Sequence, residues 1–529
     1  MMFTRFLSSV AALGLTAGMA AADYKLTILH TNDIHSRIES INKYDSTCDA
    51  EGEAEGKCFG GVARIKAMVD ARRAALTGQN VILLDAGDPF QGSLFYTTYK
   101  GAAEAEFMQA IGYDVMAVGN HEFDDGPQGL RDFIDVVDFP VISGNLDLSA
   151  SNILQGHVGN HVVLEVGGEK IGIISVLATD TVETSSPGPN VLFQDEIESL
   201  KADVAALESE GVSKIIALTH VGLPLDLKIA EMVPGIDVVV GGHSHTLLSN
   251  TDDKAAGAYP MMVGDVPVVQ AYAYSKYLGE LSVSFDDAGA VTAAAGEPIL
   301  LDASVTPDAA IAARVAEMGA PIEEMKQRVV AATSEAVEGA RDVCRSTECA
   351  MGNLVADAML DRVKDQGISI AIQNGGGLRA SIDAGAVTMG EVLTVLPFQN
   401  TLSTFEATGA DVITALENGV SQVEDGKGRF PQVAGLKYTF DISVAPNAGR
   451  ISDVQVMQGG AWELIDPAKT YGVVTNNYVR NGGDGYKIFA GDDKNAYDFG
   501  PDLADVTAEF LAKNQPYSPY VDGRISRKE

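Results

Sequence analysis

Five short apolar runs, each closing on a polar cluster, set the rhythm of the first half of the chain. Tyr24–His30 leads into Thr31-Asn32-Asp33-Ile34-His35, and Val81–Leu84 into Asp85-Ala86-Gly87-Asp88. Val115–Val118 leads into Gly119-Asn120-His121-Glu122, Ile215–Leu218 into Thr219-His220, and Val238–Val240 into Gly241-Gly242-His243-Ser244-His245. Runs this short and this apolar predict strands covered on both faces rather than half-exposed ones. Between them the spacing turns helical: over Gly61–Leu76, Val62, Ile65, Met68 and Val69 face one way, and similar stretches fall at Ala102–Ile111, Gly129–Val137 and Glu196–Glu208. Strand, polar loop and helix alternate to about Leu301, which predicts a layered α/β domain without a regular internal repeat.

The pattern then changes. Pro307, expected in the first turn, opens an Ala- and Glu-rich helical stretch from Ala309 to about Met325. Beyond it come a helix over Gly352–Val363, a strand over Ile368–Ile372, and three loops: Asn374-Gly-Gly-Gly-Leu-Arg379, Leu396-Pro397-Phe398 and Asn477-Tyr-Val-Arg-Asn-Gly-Gly-Asp-Gly485. A chain of 529 residues exceeds one ordinary core. The expected division is 23–307, a bridging helix or hinge at 308–327, and a second α/β domain at 328–529.

Charge narrows the class of partner. Against 37 basic residues stand 73 acidic ones, a formal net charge of −36, which argues against a nucleic-acid polymer because phosphate backbones need a basic footprint. A small phosphorylated substrate stays open, since bound cations can reverse the field locally. Residues 1–22 read as a secretory signal, with Arg5 as positive start, Leu7–Met19 as apolar run and Ala20-Ala21-Ala22 as cleavage site. No hydrophobic tail follows Arg524, so an exported, soluble protein, periplasmic or extracellular and without a membrane anchor, is expected. Four cysteines suit that compartment. Of the three possible connectivities, Cys48–Cys58 and Cys344–Cys349 are favoured as neighbours in sequence. Between Tyr44 and Gly60 the acidic, irregular composition predicts a surface loop clipped by the first pair.

The strand ends carry the chemistry. Alone, Asp33-x-His35 is an Asx-turn beside a surface histidine; four further strand ends of the same make-up change that. In α/β sheets, ligands gather at the carboxyl ends of strands. Asp33, His35, Asp88, Asn120, His220, His243 and His245 should therefore meet on one rim. Mixed carboxylate, amide and imidazole donors suit Zn, Mn or Co, and seven donors suit two divalent ions sharing an Asp better than one tetrahedral ion. In the later half, the triple glycine lets N–H groups approach an anion onto which Arg379 can fork. Phe398 and Tyr478 can sandwich a flat ring; a flexible turn and ordinary core packing are the plainer readings of these residues.

Taken together, these motifs resemble a known family. Asp33-x-His35, Gly87-Asp88-x-x-Gln91-Gly92, Gly119-Asn120-His121-Glu122-Phe123-Asp124, His220 and Gly242-His243-Ser244-His245 are similar to the calcineurin-type metallophosphoesterase set. With the Asn374–Arg379 and Asn481–Gly485 loops, the chain resembles the two-domain 5′-nucleotidases over nearly everything after the signal. The resemblance implies a four-layer α/β metallophosphoesterase domain joined by a helix to an α/β substrate-binding domain. It implies metal ligands at Asp33, His35, Asp88, Asn120, His220 and His243, with Asp88 bridging. Position 245 varies in the family, and His245 is added as in simpler members of the superfamily. His121 and Asp124 match the catalytic dyad; Arg345, Asn374, Arg379, Phe398, Tyr478 and Asp484 fall where the family binds nucleoside and phosphate. Tyr478 stands where animal members carry Phe, and the family's lipid-anchor tail and two further disulfides are missing.

The implied activity is hydrolysis of nucleoside 5′-monophosphates, AMP foremost, by a metal-activated water. Two alternatives accompany it: a broader nucleotide phosphohydrolase acting on UDP-sugars, di- and triphosphates or 2′,3′-cyclic phosphates, and a non-catalytic nucleotide-binding surface protein. Intact ligands and dyad speak against the second.

Overall fold

The computed structural model describes residues 23–528, apart from 44, 46, 397, 399, 492, 493 and 499. The expected signal at 1–22 and Pro397 lie outside the described residues. A seven-stranded and a six-stranded β-sheet build the first domain, beside a small pair of Leu146–Asp147 and Leu192–Phe193. One runs in the order Val291–Gly296, Tyr277–Phe285, Tyr24–Thr31, Asn80–Asp85, Val115–Ala117, Val141–Ile142, with Ile299–Leu300 also paired to Tyr277–Phe285. The other runs Met261–Val263, Val266–Val269, Val238–Gly241, Ile215–His220, Glu169–Leu177, His161–Val166.

Side-chain alternation explains why the strands read as continuously apolar. Leu26, Ile28, Ile82, Leu84, Val115 and Ala117 from the first sheet meet Ile171, Ile173, Ile216, Leu218, Val238 and Val240 from the second in one buried core. The intervening residues point outward under helices. Leu29, Leu83 and Met116 pack with Val62–Ala75 and Ala102–Ile111, while Ile215, Ala217 and Val239 pack with Glu196–Ser209 and Leu223–Met232. The result is four layers, helix–sheet–sheet–helix, with no solvent-facing sheet surface at the central strands.

Helix Ala309–Lys326 follows, its start fixed by the Asp308 carboxylate accepting from the N–H groups of Ala310 and Ile311. It buries Met318 and Ile322 in the first core and meets helix Met389–Val395 at its far end. The second domain holds a sheet ordered Leu402–Thr408, Thr470–Asn476, Ile368–Asn374, Pro431–Ala434, and another ordered Ala461–Leu464, Ile451–Gln458, Leu436–Phe440, Ile525–Arg527. Ala371 faces the core under helices Ala350–Val363 and Leu503–Lys513; Ile370 and Ile372 face the other, under Gly409–Gly419. Both disulfides have the expected partners, Cys48–Cys58 and Cys344–Cys349. Among the described residues no helix is long and apolar enough to cross a membrane.

Three details differ from the sequence expectation. The helix expected over Gly129–Val137 spans Gly126–Ile134, because Pro127 sits in its first turn, where a missing N–H costs nothing. Within 44–60 lies a short helix, Ala50–Ala54, capped by the Asp49 side chain on Gly52 N–H. Pro307 lies just before the N-cap Asp308 rather than in the first turn.

Candidate dimetal site

All seven candidate ligands and the His121–Asp124 pair meet at the carboxyl ends of the central strands of both sheets. Loop backbones knit the rim: Asp33 N–H donates to Gly87 O at 2.9 Å and His35 N–H to Asp88 O at 3.0 Å. Asp33, His35, Asp88, His243 and His245 all have positive φ, from 49° to 73°. Such backbone is uncommon for non-glycine residues and costs on the order of 1 kcal/mol or more at each. Neighbouring glycines make the crowding possible. A Cβ on Gly119 would lie 2.2 Å from Asp88 Oδ1, and one on Gly87 would lie 2.8 Å from His220 Nδ1.

The expected ligands fall into two groups around Asp88, and His121 lies close enough to His35 and Asp88 to make a third cluster with them. In one, His245 Nε2 lies 3.4 Å from Asp33 Oδ1, and His35 Nε2 lies 2.8 Å from His245 Nε2 and 3.9 Å from Asp88 Oδ2. In the other, His220 Nε2 lies 3.1 Å from Asp88 Oδ2 and 3.2 Å from Asn120 Oδ1, with His243 Nδ1 2.9 Å from that same oxygen. The groups fit a pair of cations for a chemical reason. His220 Nδ1 donates to Ala86 O at 2.7 Å, and His35 Nδ1 to Phe90 O at 3.2 Å. That fixes the Nδ1 proton of each ring and turns both Nε2 atoms towards carboxylate, amide and imidazole groups. Asp88 Oδ2 is fully buried, and its near neighbours are the imidazoles of His220, at 3.1 Å, and His35, at 3.9 Å. Buried carboxylates and imidazoles packed this closely are stable only with positive charge among them, either protons or cations.

Electrostatics agree. Against burial, His220 and His121 hold the Asp88 carboxyl well below the usual range. Burial also opposes charge on His220, yet Asp88 and Asp33 push it up to about 10; Asp124 and Asp88 likewise push His121 up to about 9. Not every imidazole is charged: burial and His245 push His35 well below its usual range, and burial and His220 push His243 down to about 4.

Beside the two groups, His121 Nδ1 donates to Asp124 Oδ2 at 2.6 Å. Other supports carried no sequence signal of their own. Glu122, quoted above only as part of a motif, accepts from Gly119 N–H at 2.7 Å, Asp88 N–H at 3.1 Å and Phe90 N–H at 3.3 Å. Asn32 Nδ2 donates to Asp33 Oδ2 at 2.7 Å, and Gln270 Nε2 to Gly242 O at 2.9 Å. For Glu122 and Asn32 the signal was positional only, since each lies on a ligand loop; Gln270, beyond strand Val266–Val269, had none.

The six residues expected to bind substrate gather in the second domain, around the end of strand Ile368–Asn374. Asn374 Nδ2 donates to Asp484 Oδ2 at 2.7 Å, and the Tyr478 hydroxyl to Asp484 Oδ1 at 3.2 Å. The Arg379 guanidinium lies 5.3 Å over the Phe398 ring. Arg345 Nη1 donates to Gly426 O at 3.4 Å, while its Nε is buried without a partner. Gly376 N–H donates to Gly428 O at 2.7 Å, a backbone approach that a Cβ on Gly376 would block at 2.8 Å from Gly428 Cα. Tyr478 is half-exposed, its ring available to a ligand.

Two family signatures match the chain: calcineurin-like phosphoesterase over residues 26–247, and 5′-nucleotidase, C-terminal domain, over 329–491. Fold and site together define a two-domain calcineurin-like metallophosphoesterase, a class that works with a dinuclear divalent metal centre. The chain is 38% identical to the 5′-nucleotidase of Bos taurus, with 98% of this chain and 93% of that protein covered. It is 37% identical to the snake venom 5′-nucleotidase of Naja atra, with 95% and 98% covered. Among solved structures, the 5′-nucleotidase precursor from Thermus thermophilus is 40% identical, with TM-score 0.62 and coverage of 95% and 99%. The NAD nucleotidase of Haemophilus influenzae is 28% identical, with TM-score 0.78 and coverage of 96% and 99%. This chain belongs to the 5′-nucleotidase family, whose members are phosphoric monoester hydrolases.

Proposed function

We propose that the chain is an exported, metal-dependent 5′-nucleotidase that releases phosphate from nucleoside 5′-monophosphates, AMP foremost. The observation that carries this reading is the buried Asp88 carboxylate set between two groups of imidazoles, with His121 alongside. Asp33, His35, Asp88 and His245 would hold one cation, and Asp88, Asn120, His220 and His243 the other. Zn, Mn and Co match that donor set. Bound there, the pair supplies a water of lowered pKa and neutralises charge on the phosphoryl oxygens.

The protein's own groups do the rest. Asp124 keeps the His121 Nδ1 proton in place, so a protonated His121 gives its Nε2 proton to the 5′-oxygen as the P–O bond breaks. Asn374, Arg345, Arg379 and Asp484 orient phosphate and nucleoside, and Phe398 and Tyr478 stack on the base. Chemistry falls to the unit at 23–307 and recognition to that at 328–529, with 308–327 as the hinge on which they close over substrate. Export is supported by Arg5, the apolar run to Met19, Ala20–Ala22 and two disulfides.

The superposition on the Haemophilus influenzae NAD nucleotidase favours a second reading, a wider range of nucleotide substrates. Rates of substrate consumption for AMP, other nucleoside monophosphates, ADP, ATP, UDP-glucose and NAD separate the two. Preference for AMP supports the first, and comparable turnover of dinucleotides or nucleotide sugars supports the second.

A further inference from the structure

We propose that Ser185 is a positioning residue for the leaving-group step, fixing the plane of the Asp124 carboxylate; this rests on the reading of His121 given above. Asp124 carries three hydrogen bonds from three separate segments. Oδ2 accepts from His121 Nδ1 at 2.6 Å and from Gln91 Nε2 at 3.2 Å, whereas Oδ1 accepts from the Ser185 hydroxyl at 2.7 Å. Ser185 comes from the loop between strand Glu169–Leu177 and helix Glu196–Ser209, 61 residues away in sequence. Its backbone N–H closes the short helix Thr181–Thr184 on Thr181 O at 3.0 Å. The hydroxyl is therefore not needed for that cap, and Asp124 is the partner it serves.

Two donors on Oδ2 leave a carboxylate able to swing about its last torsion, which is broad and soft for Asp. A third donor on the opposite oxygen removes that freedom. The orientation of Gln91 is itself set, since its Oε1 accepts from Gly92 N–H at 3.0 Å, which turns Nε2 to Asp124. A fixed carboxylate plane aims the His121 ring, and the direction of Nε2 decides how well a proton reaches the leaving oxygen. An alkoxide needs that proton; a p-nitrophenolate leaves without it. The consequence of losing Ser185 should therefore depend on the leaving group, which no general loosening of the loop would produce.

The test compares wild type, Ser185→Ala and Ser185→Thr, metal-loaded, on AMP and on p-nitrophenyl phosphate. Ser185→Ala should lower kcat on AMP by about 10-fold, a fraction of what a general acid contributes. It should leave KM for AMP and kcat on the aryl ester within about 2-fold, and Ser185→Thr, which keeps the hydroxyl, should restore kcat on AMP. Equal losses on both substrates, a change confined to KM, or no rescue by Thr would overturn the role. Wild-type turnover of AMP tests the reading of the site separately; an enzyme active on AMP but indifferent to Ser185→Ala refutes only this inference.

Discussion

Both carboxylate oxygens of Asp33 lie 3.0 Å from the backbone nitrogen of His243, although the two residues stand 210 positions apart and end strands of different sheets. One side chain thus ties the two halves of the rim together while presenting Oδ1 to His245 and His35. Asp33→Asn keeps the shape but turns an amide towards that N–H and removes a charge. Metal content measured after dialysis should fall towards one ion per chain, and kcat should drop by at least about 100-fold. A variant that keeps two ions and near-normal turnover would show that Asp33 is not a ligand.

His121→Ala should behave differently. The imidazole stands beside the cation ligands rather than among those assigned to hold an ion, so bound metal should stay unchanged. Turnover of AMP should fall by about 10²–10⁴-fold, with a small change in KM. Rapid-quench and steady-state rates at saturating AMP check this; near-normal kcat would remove the role.

Glu122 supports the Asp88 loop by taking the N–H groups of Asp88, Gly119 and Phe90. Its removal in Glu122→Ala strands three buried donors at about 1–3 kcal/mol each. Metal affinity should weaken by about 10–100-fold, the usual consequence of losing an outer support. Glu122→Gln, which keeps a carbonyl for two of the donors, should retain most of it. Isothermal titration of the metal-free protein distinguishes the variants.

Away from the site, Asp237 gives a pH signature. Burial pushes its carboxyl up to about 7 from 3.8, although Ile215 N–H donates to it at 2.7 Å. Below pH 3.8 the acid is protonated in both the folded and unfolded chain. Between 3.8 and about 7 only the folded chain holds the proton, so stability falls as pH rises through that window. Asp237→Asn should flatten the slope of melting temperature against pH there and leave it unchanged above. An unchanged slope in the variant would contradict the assignment.

The Cys344–Cys349 clip closes a loop of sequence separation 5 around Arg345. Chain entropy alone assigns it about 2 kcal/mol. Cys344→Ser/Cys349→Ser should melt earlier, and if the clip also aims Arg345 at substrate, KM for AMP should rise with kcat unchanged. An unaltered KM would leave only the stapling role.

The sequence was most legible where burial acts on both faces. Strands Asn80–Asp85, Ile215–His220 and Val238–Gly241 and helix Ala102–Ile111 lie where the apolar runs and helical spacing put them. The gathering of Asp33, His35, Asp88, Asn120, His220, His243 and His245 followed from one rule about strand ends. Pairing was not legible: nothing local announces that Tyr277–Phe285 returns antiparallel beside Tyr24–Thr31, or that the strands divide between two sheets. The edge strands Met261–Val263 and Val291–Gly296 were missed because they mix small, polar and apolar residues at a sheet margin. Ser185 and Gln270, and the contact that Gln91 makes from within its motif, were missed for another reason. A loop polar residue acquires its role from a partner brought by tertiary structure, and that partner leaves no periodicity to read.

Titration of metal-free protein with Mn²⁺, following bound ions and phosphate release from AMP together, tests the dimetal centre most directly. Activity absent in chelator and saturating as the second ion binds is the expected result, with Asp88→Asn losing both ions' tight binding. Full turnover of AMP in chelator, or saturation with a single ion, would contradict it.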